Sequence, residues 1–365
     1  MNPADIAGLE PAELEQALTA LGAQRFHARQ VFSWIHRRGV TDFERMTDLS
    51  RELRATLAGA CTVATPRIAR KDVSVDGTTK YLLALEDGAL IESVYIPDTP
   101  AQTFCISSQV GCAMGCAFCL TGKMGIIRNL TAGEIVGQVR VLASDLNLLD
   151  QPVNIVLMGM GEPLHNYDEV MKALRILASE HGMAMPAKRM TLSTVGVVPG
   201  IERLATESFM PNLAISLHAT TDAQRSAIVP INRKYHLEQL LAACRAFPVK
   251  KRGRITFEYV LLEGVNDTPE DARRLVRLLQ GIKAKVNLLP LNEAPGIPFS
   301  RPAEDRVNRF AKVLADHDVN VTVRKSRGRD IRAACGQLIV EGERRSAGQR
   351  MAALMDALEP TSHAR

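Results

Sequence analysis

The sequence has 365 residues, 46% hydrophobic and 23% charged, which is typical of a globular protein and long enough for a single α/β barrel. It contains no apolar run that could cross a membrane, and the acidic segment 1–15 lacks the features of an export signal, so we expect a cytoplasmic protein without membrane partners. The net charge of +5 permits a nucleic-acid partner without requiring one, and seven cysteines in a reducing compartment favour metal binding or catalysis over structural disulfides.

The first part of the chain predicts two small accessory units. Residues 1–60 should form a helical module, because Val31, Phe32 and Ile35 recur at helical spacing. Residues 61–102 should form a β-hairpin extension, since a Glu-Asp-Gly turn separates two runs of strand-forming residues.

Aromatic and basic side chains make the helical module a candidate RNA-docking element. Unstacked bases and phosphates are commonly held by aromatic rings together with arginines. A solvated surface and a module core are the alternatives, and Phe32 is expected to belong to the core. The docking candidates are Phe26, Trp34, Arg25, Arg29, Arg37 and Arg38, with a second basic stretch at 324–329.

A strand–helix alternation begins near residue 103 and predicts the main domain. Capping signals at Thr131 and Thr268 open two of the intervening helices. Repeated strand–helix units build a parallel sheet, so we predict an α/β fold: a partial (β/α)6 TIM-like barrel over 103–340, followed by a helical tail at 341–365. Chemistry in such barrels lies where strands end and loops begin. The predicted strands are 103–107, 154–158, 190–195, 213–217, 255–261 and 286–291, with one further strand at 319–323.

Three cysteines follow the first predicted barrel strand with the spacing C-x3-C-x2-C. Cys112, Cys116 and Cys119 could hold a [4Fe–4S] cluster, which normally has four thiolate ligands. With no fourth cysteine nearby, one iron would stay open, as in catalytic metal sites. A zinc site is the alternative, but zinc motifs add a second cysteine or histidine pair that is missing here. Cys61 and Cys244 are expected to be buried core residues.

The cysteine motif resembles the radical S-adenosylmethionine (SAM) superfamily, in which the amino and carboxyl groups of SAM chelate the open iron. The segment Gly159-Met160-Gly161-Glu162-Pro163 follows the next strand and is similar to the superfamily's second signature. We expect its glycines to let the ligand approach the backbone and Glu162 to accept a hydrogen bond from the ligand's ammonium group.

Two cysteines outside the C-x3-C-x2-C motif narrow the resemblance from the superfamily to one family. Cys105-Ile-Ser-Ser-Gln-Val-Gly-Cys112 and Asp330-Ile-Arg-Ala-Ala-Cys335-Gly336-Gln337-Leu338 are similar to motifs of the RlmN/Cfr family of RNA adenine methyltransferases, and the likeness extends over roughly 26–338. The closer resemblance is to members that methylate C2 of an adenosine in 23S rRNA and in tRNA.

The resemblance implies a radical mechanism with two cysteines. One SAM methylates Cys335, and a second is cleaved to a 5′-deoxyadenosyl radical that takes hydrogen from this methyl group. The methylene radical adds to adenine, and Cys105 then releases the product through a transient disulfide with Cys335. Such a route suits the substrate, because an sp2 ring carbon of adenine is not a nucleophile.

Glu92 is the candidate acid–base residue. Strand alternation puts it on the face of Leu90, Val94 and Ile96, where apolar surroundings raise the pKa of a carboxyl group. An edge-strand glutamate turned to solvent is the alternative, and the family resemblance favours Glu92 as the proton acceptor. The resemblance also implies SAM contacts at Gly161, Glu162, Ser193, Ser216, Leu217, His218 and Asn292.

Three other functions are alternatives to C2 methylation. Methylation at C8 of the same ribosomal adenine would use every catalytic residue named above. A radical methylthiotransferase would need a second cysteine triad, and a zinc-stabilised RNA-binding protein would have no catalysis. The resemblance implies one [4Fe–4S] cluster with three cysteine ligands and two SAM per turnover. The implied partners are 23S rRNA, tRNA and an external electron donor such as flavodoxin, with no DNA, for a monomeric protein.

Overall fold

The computed structural model describes residues 3–97, 102–250 and 253–340. The predicted helical tail at 341–365 lies outside the described residues. Within the described ranges, none of the helices is both long and apolar enough to span a membrane.

Helices dominate the first sixty residues, as predicted. Phe32 packs with Val31 and Ile35 in the core, which confirms its structural role, whereas Phe26 is 53% exposed. Cys61 is buried, also as predicted. The elements are β1 (Ala4–Asp5), α1 (Pro11–Ala20), α2 (Arg25–His36), α3 (Arg51–Ala60) and β2 (Cys61–Thr62), with β1 and β2 paired in parallel.

The predicted hairpin belongs to a three-stranded antiparallel unit. Its strands are β3 (Arg67–Val73), β4 (Thr79–Ala84) and β5 (Leu90–Ile96). The turn at 86–88 joins β4 to β5, which confirms the hairpin. Strand β5 then pairs with the first strand of the next unit, Val94 opposite Cys105, so the hairpin continues the main sheet.

The alternation predicted from residue 103 is confirmed. Seven strands run parallel in the order β6-β9-β10-β11-β12-β13-β14 and share one ten-stranded open sheet with β5, β4 and β3, while β7 and β8 form a separate antiparallel ribbon. The elements are β6 (Thr103–Cys105), β7 (Gln109–Cys112), α4 (Leu120–Met124), β8 (Gly125–Asn129), α5 (Ala132–Asp145), β9 (Asn154–Leu157), α6 (Tyr167–Ala178), β10 (Met190–Thr194), α7 (Val198–Leu204), β11 (Asn212–Ser216), α8 (Asp222–Ile228), α9 (Leu237–Ala246), β12 (Ile255–Leu261), α10 (Pro269–Leu278), β13 (Ala284–Pro290), α11 (Glu304–Ala315) and β14 (Asn320–Val323).

The sequence signals for helices coincide with real helix starts. Thr131 caps α5 and exchanges hydrogen bonds with Glu134, and Thr268 does the same for α10 with Asp271. Such caps satisfy backbone donors that the first helical turn leaves free. Cys244 is buried on α9, as expected.

Candidate active site

A cavity opens where the parallel strands β9 to β13 end. It encloses about 1020 Å³, including the part open to solvent. This is the end of a parallel α/β sheet at which ligands generally bind. The predicted site residues in its wall are Cys112, Cys116, Cys119, Gly161, Glu162, Ser193, Ser216, His218, Asn292 and Cys335.

The cysteine triad lies on a short loop between β7 and α4. Cys112 ends β7, and Cys119 is the residue before the first turn of α4. Between them, the backbone N–H of Cys119 donates to the carbonyl of Cys116 at 3.1 Å. Gly111 allows β7, which carries Cys112, to lie close to β8. Its φ is +79°, and an added Cβ would lie 2.0 Å from the carbonyl oxygen of Gly125.

The chemistry of the triad fits an iron–sulfur cluster. Burial raises the pKa of Cys112 to about 12 and the pKa values of Cys116 and Cys119 as well, so all three need cationic partners to become thiolates. Among the described residues, no three His, Cys, Asp or Glu side chains converge on a point that would hold one metal ion. A structural zinc needs that convergence, whereas a cubane cluster takes each thiolate on a different iron.

The Gly-Met-Gly-Glu-Pro segment packs against the connection from β6 to β7. Glu162 accepts hydrogen bonds from the backbone N–H groups of Leu164 (3.0 Å) and Val195 (2.8 Å), and burial raises its pKa to about 7. The two glycines line the cavity and also have a packing role. A Cβ on Gly159 would lie 2.7 Å from the backbone of Ile106, and one on Gly161 would lie 2.7 Å from Gln109. Chain packing therefore requires both glycines, whatever ligand approaches.

The remaining predicted SAM contacts divide into two groups. Ser193, Ser216, His218 and Asn292 line the cavity, and His218 is held by a hydrogen bond from the backbone N–H of Val260 to Nδ1 at 3.0 Å. Burial lowers the pKa of His218 to about 3, so its ring is neutral. Leu217 is fully buried and does not line the cavity, because alternation along the chain turns its side chain away from Ser216 and His218.

Cys335 is the exposed cysteine of the described residues and faces the same cavity as the triad. Its neighbourhood is fixed by contacts with the barrel. Asn292 Nδ2 donates to the carbonyl of Cys335 (3.3 Å), and the N–H of Leu120 donates to the carbonyl of Gly336 (2.8 Å). Thr121 Oγ1 donates to the carbonyl of Leu338 (2.6 Å).

The upstream half of this segment is clamped by the β3–β4 turn. Asp330 accepts hydrogen bonds from Ser74 Oγ (2.6 Å) and from the N–H of Val75 (3.2 Å). In return, Asp76 accepts from the N–H of Gly328 (3.0 Å). We define residues 324–340 as the Cys335 segment. No pattern in the sequence indicates this clamp, since its two halves are about 250 residues apart.

Glu92 and Cys105 lie outside the cavity lining. Glu92 is 1% exposed on an inner strand, so the solvent-facing alternative is wrong. Burial raises its pKa, against the lowering effects of Lys80 and of the N–H of Ile339. Cys105 is also buried. Its pKa is raised mainly by burial and to a lesser extent by the charge of the nearby Cys335 thiol. Both residues thus border the Cys335 segment.

Sequence reasoning missed Glu258, a carboxylate in the cavity wall. It lies in the middle of β12, accepts a hydrogen bond from Asn287 Nδ2 (2.8 Å), and has a pKa raised by burial. Although Cys335 as a residue is exposed, its thiol is shielded from bulk water inside the cavity, and this shielding and then the charge of Glu258 raise the pKa of the thiol. A glutamate in the otherwise uncharged run Ile255–Leu261 was the signal that could have found it.

Two family models match the chain. The model described as "Ribosomal RNA large subunit methyltransferase N-terminal domain" matches residues 4–63, and the model described as "Radical SAM superfamily" matches residues 106–279. A crystal structure of a radical SAM methyltransferase from Sphaerobacter thermophilus superposes with a TM-score of 0.87 at 48% identity, covering 92% of this chain and 99% of that one. The fold and the site are those of a radical SAM methyltransferase.

Curated relatives identify the family within that class. The "Dual-specificity RNA methyltransferase RlmN" of Geobacter sulfurreducens is 52% identical over 92% of this chain and 91% of its own length. The protein of the same name from Syntrophobacter fumaroxidans is 48% identical over 93% and 99%, respectively. The chain belongs to the RlmN family of dual-specificity RNA methyltransferases.

The packing of Gly161 predicts the effect of a single methyl group. Gly161→Ala should weaken SAM binding about tenfold or more. The positive φ and the contact between the new Cβ and Gln109 impose strain of roughly 1–3 kcal/mol. We expect the turn to relieve this strain by moving Glu162. Equilibrium dialysis of SAM with the reconstituted enzyme measures this. Gly59→Ala is the control, since Gly59 is helical with open space around it. SAM affinity within twofold of the parent would contradict the prediction.

The clamp predicts that Asp330 orders the Cys335 segment. Asp330→Ala removes both acceptors for the β3–β4 turn, so trypsin should cut the folded protein several times faster at the arginines and lysine of 324–332. Peptide mass spectrometry during limited digestion locates the cuts. Asp316→Ala, which breaks only a surface ion pair with Lys312, should digest like the parent protein. Equal rates for Asp330→Ala and the parent would show that the clamp does not order the segment.

Proposed function

We propose that this enzyme methylates C2 of an adenosine in 23S rRNA and of an adenosine in tRNA. One observation carries the proposed methyl transfer: Cys335 faces the same cavity as the cysteine triad and the glycine-rich turn. The C2 position rests on the resemblance to members that methylate this carbon. A cysteine beside the site of SAM cleavage can both receive a methyl group and be activated by a radical formed there. Membership of the family supports the RNA substrate.

The cofactor set in this proposal is one [4Fe–4S] cluster and two SAM per turnover. Cys112, Cys116 and Cys119 would hold the cluster, which supplies the electron for reductive cleavage of SAM when it is bound. SAM would be bound by Glu162, by the polar residues of strands β10 and β11, and by the loop after β13. The raised pKa of Glu162, about 7, suits a carboxylate that becomes charged when it meets the ammonium group of a ligand.

The three remaining site residues take separate roles in the proposal. Cys335 carries the methyl group and stays bonded to the substrate after the radical adds to adenine. Glu92 takes the proton that leaves the ring carbon. After the adduct has given up its unpaired electron to an electron acceptor, the Cys105 thiolate attacks the sulfur of Cys335. The disulfide forms, the carbon–sulfur bond breaks with its electron pair left on carbon, and this carbon takes a proton to become the methyl group. The burial of Cys105 suits this late role, because a protected thiol does not compete with Cys335 for the first methyl group.

The accessory units would position RNA over the cavity. In the helical module, 1–60, Phe26 is exposed and Arg25 is 85% exposed although it pairs with Glu15. Trp34 is less available for stacking, because Arg38 lies 4.0 Å above its ring and its Nε1 donates to Asp48. We propose 61–102 and 103–340 as the other domains. We further propose that the protein is a monomer that takes electrons from an external donor such as flavodoxin.

Mass analysis of the product decides the position of methylation. Incubation of the reconstituted enzyme with SAM, a reductant and unmodified 23S rRNA or tRNA should give 2-methyladenosine after nuclease digestion, identified against synthetic standards. Cys335→Ala should bind iron normally and give no methyladenosine, because the methyl carrier is absent. Detection of 8-methyladenosine would overturn the C2 assignment, and bound zinc without methylation would favour an RNA-binding protein.

The two-cysteine mechanism predicts a trapped intermediate. Cys105→Ala should accumulate protein joined to RNA through Cys335, because the thioether does not open until a second sulfur attacks. Protease and nuclease digestion followed by mass spectrometry should find a nucleotide on the peptide that contains Cys335. Cys244→Ala is the control, since that cysteine packs in the core with no part in the proposed chemistry. Normal methylation by Cys105→Ala, with no adduct, would refute the mechanism.

A further inference from the structure

A buried lysine stands beside Glu92 in the sheet. Lys80 on β4 is 5% exposed and Glu92 on β5 is 1% exposed, with Lys80 Nζ 3.0 Å from Glu92 Oε1. Leu82 is the direct partner of Glu92 in the antiparallel register, so Lys80 is its diagonal neighbour on the same face. Lysine is rarely buried to this extent unless it is paired.

The two oxygens of Glu92 have different surroundings. Oε2 accepts a hydrogen bond from the N–H of Ile339 at 2.7 Å, which ties the carboxylate to the Cys335 segment. Oε1 forms the 3.0 Å ion pair with Lys80 Nζ. A carboxylate oxygen has two lone pairs, and among the described residues no other donor contacts Oε1. Lys80 therefore attracts the charge of Glu92 while a lone pair of Oε1 is left available to accept a proton.

We propose that Lys80 is a positioning residue that keeps the Glu92 carboxylate ionised and aimed, so that Oε1 can receive the proton that leaves the adenine ring. The inference rests on the proposed role of Glu92. In this step the ring carbon–hydrogen bond breaks, its electron pair stays with the ring, and the proton ends on Oε1. Lys80 remains an ammonium ion throughout and touches no substrate atom.

The charges around Glu92 support this role. Burial raises the pKa of the carboxyl group, and the effects that lower it come from Lys80 on β4, the N–H of Ile339 in the Cys335 segment, and Arg70 on β3. The backbone N–H of Glu92 meets the uncharged sulfur of Met160. Lys80 is the nearest of these cations and forms the direct ion pair, so its removal should affect the charge of Glu92 most.

The sign of the expected pH effect follows from the carboxylate's task. Glu92 must be ionised to take a proton, so methylation should fail as the pH drops through the pKa of Glu92. Burial disfavours the charged form of Glu92, and the positive charge of Lys80 offsets this effect. Without Lys80 the pKa of Glu92 should therefore rise. Activity should then be lost at a higher pH than in the parent enzyme, and recovered at alkaline pH.

The experiment measures methylation of RNA in a single turnover, as a function of pH, with enzyme already methylated at Cys335. Lys80→Met should move the acidic limb up by about one pH unit or more, equivalent to roughly tenfold slower methylation at any pH below both limbs. Lys80→Arg should leave the limb close to that of the parent enzyme. Lys71→Met is the matched control, because Lys71 on the adjacent strand pairs with Asp145 instead.

Two further readouts separate positioning from a structural role. Cleavage of SAM and methylation of Cys335 precede the proton transfer, so Lys80→Met should leave both unchanged. Infrared difference spectra against Glu92→Gln should show the protonated carboxyl band of Glu92 appearing at higher pH in Lys80→Met. If Lys80→Met does not fold, Lys80→Gln replaces it with the same expectations.

The outcomes divide cleanly. The inference is overturned if the acidic limb of Lys80→Met coincides with that of the parent enzyme. It is also overturned if Lys80→Met loses SAM cleavage as well as RNA methylation. Glu92→Gln distinguishes this failure from that of the proposed mechanism. If Glu92→Gln methylates RNA at the parental rate, the role of Glu92 is wrong; if it is slow while Lys80→Met is unaffected, only the role of Lys80 is wrong.

Discussion

Four parts of the chain that are distant in sequence hold the Cys335 segment by hydrogen bonds. The β3–β4 turn binds it through Asp330 and Asp76, β5 through Glu92, α4 through Thr121, and the loop after β13 through Asn292. Each bond is modest by itself, but bonds from four directions define one position for a segment without regular structure. The proposed chemistry depends on this constraint, because Cys335 must meet the cavity from outside the barrel strands.

The antiparallel extension contributes more than coverage of a sheet edge. It carries Lys80 and Glu92, it clamps the Cys335 segment, and it continues the barrel's own sheet through pairing of β5 with β6. Movement of the extension would therefore displace Cys335 and Glu92 together. A fixed link between Cys335 and Glu92 suits the proposed reaction, in which both act on one adenine ring.

Three buried carboxylates surround the site, and each has a different partner. Glu162 is held by backbone N–H groups, Glu258 by the amide of Asn287, and Glu92 by Lys80 with the N–H of Ile339. Burial raises the pKa of all three. An ion pair favours the charged form more than a neutral amide does, so environment can assign separate tasks to chemically similar groups.

The sequence by itself determined the parts of the answer that local pattern encodes. Strand–helix alternation predicted the parallel sheet, capping residues predicted the starts of α5 and α10, and cysteine spacing pointed to a cluster site. It could not determine that Gly159 and Gly161 serve chain packing, that Leu217 turns into the core, or that Glu258 lines the cavity. These depend on which face of a strand meets which neighbour. The predicted hairpin places Lys80 and Glu92 on neighbouring strands, but their ion pair depends on a register and a burial that only the structure decided. Only the tertiary structure brought Asp330 to Ser74, because docking between segments so far apart in the chain leaves no periodic signal in either one.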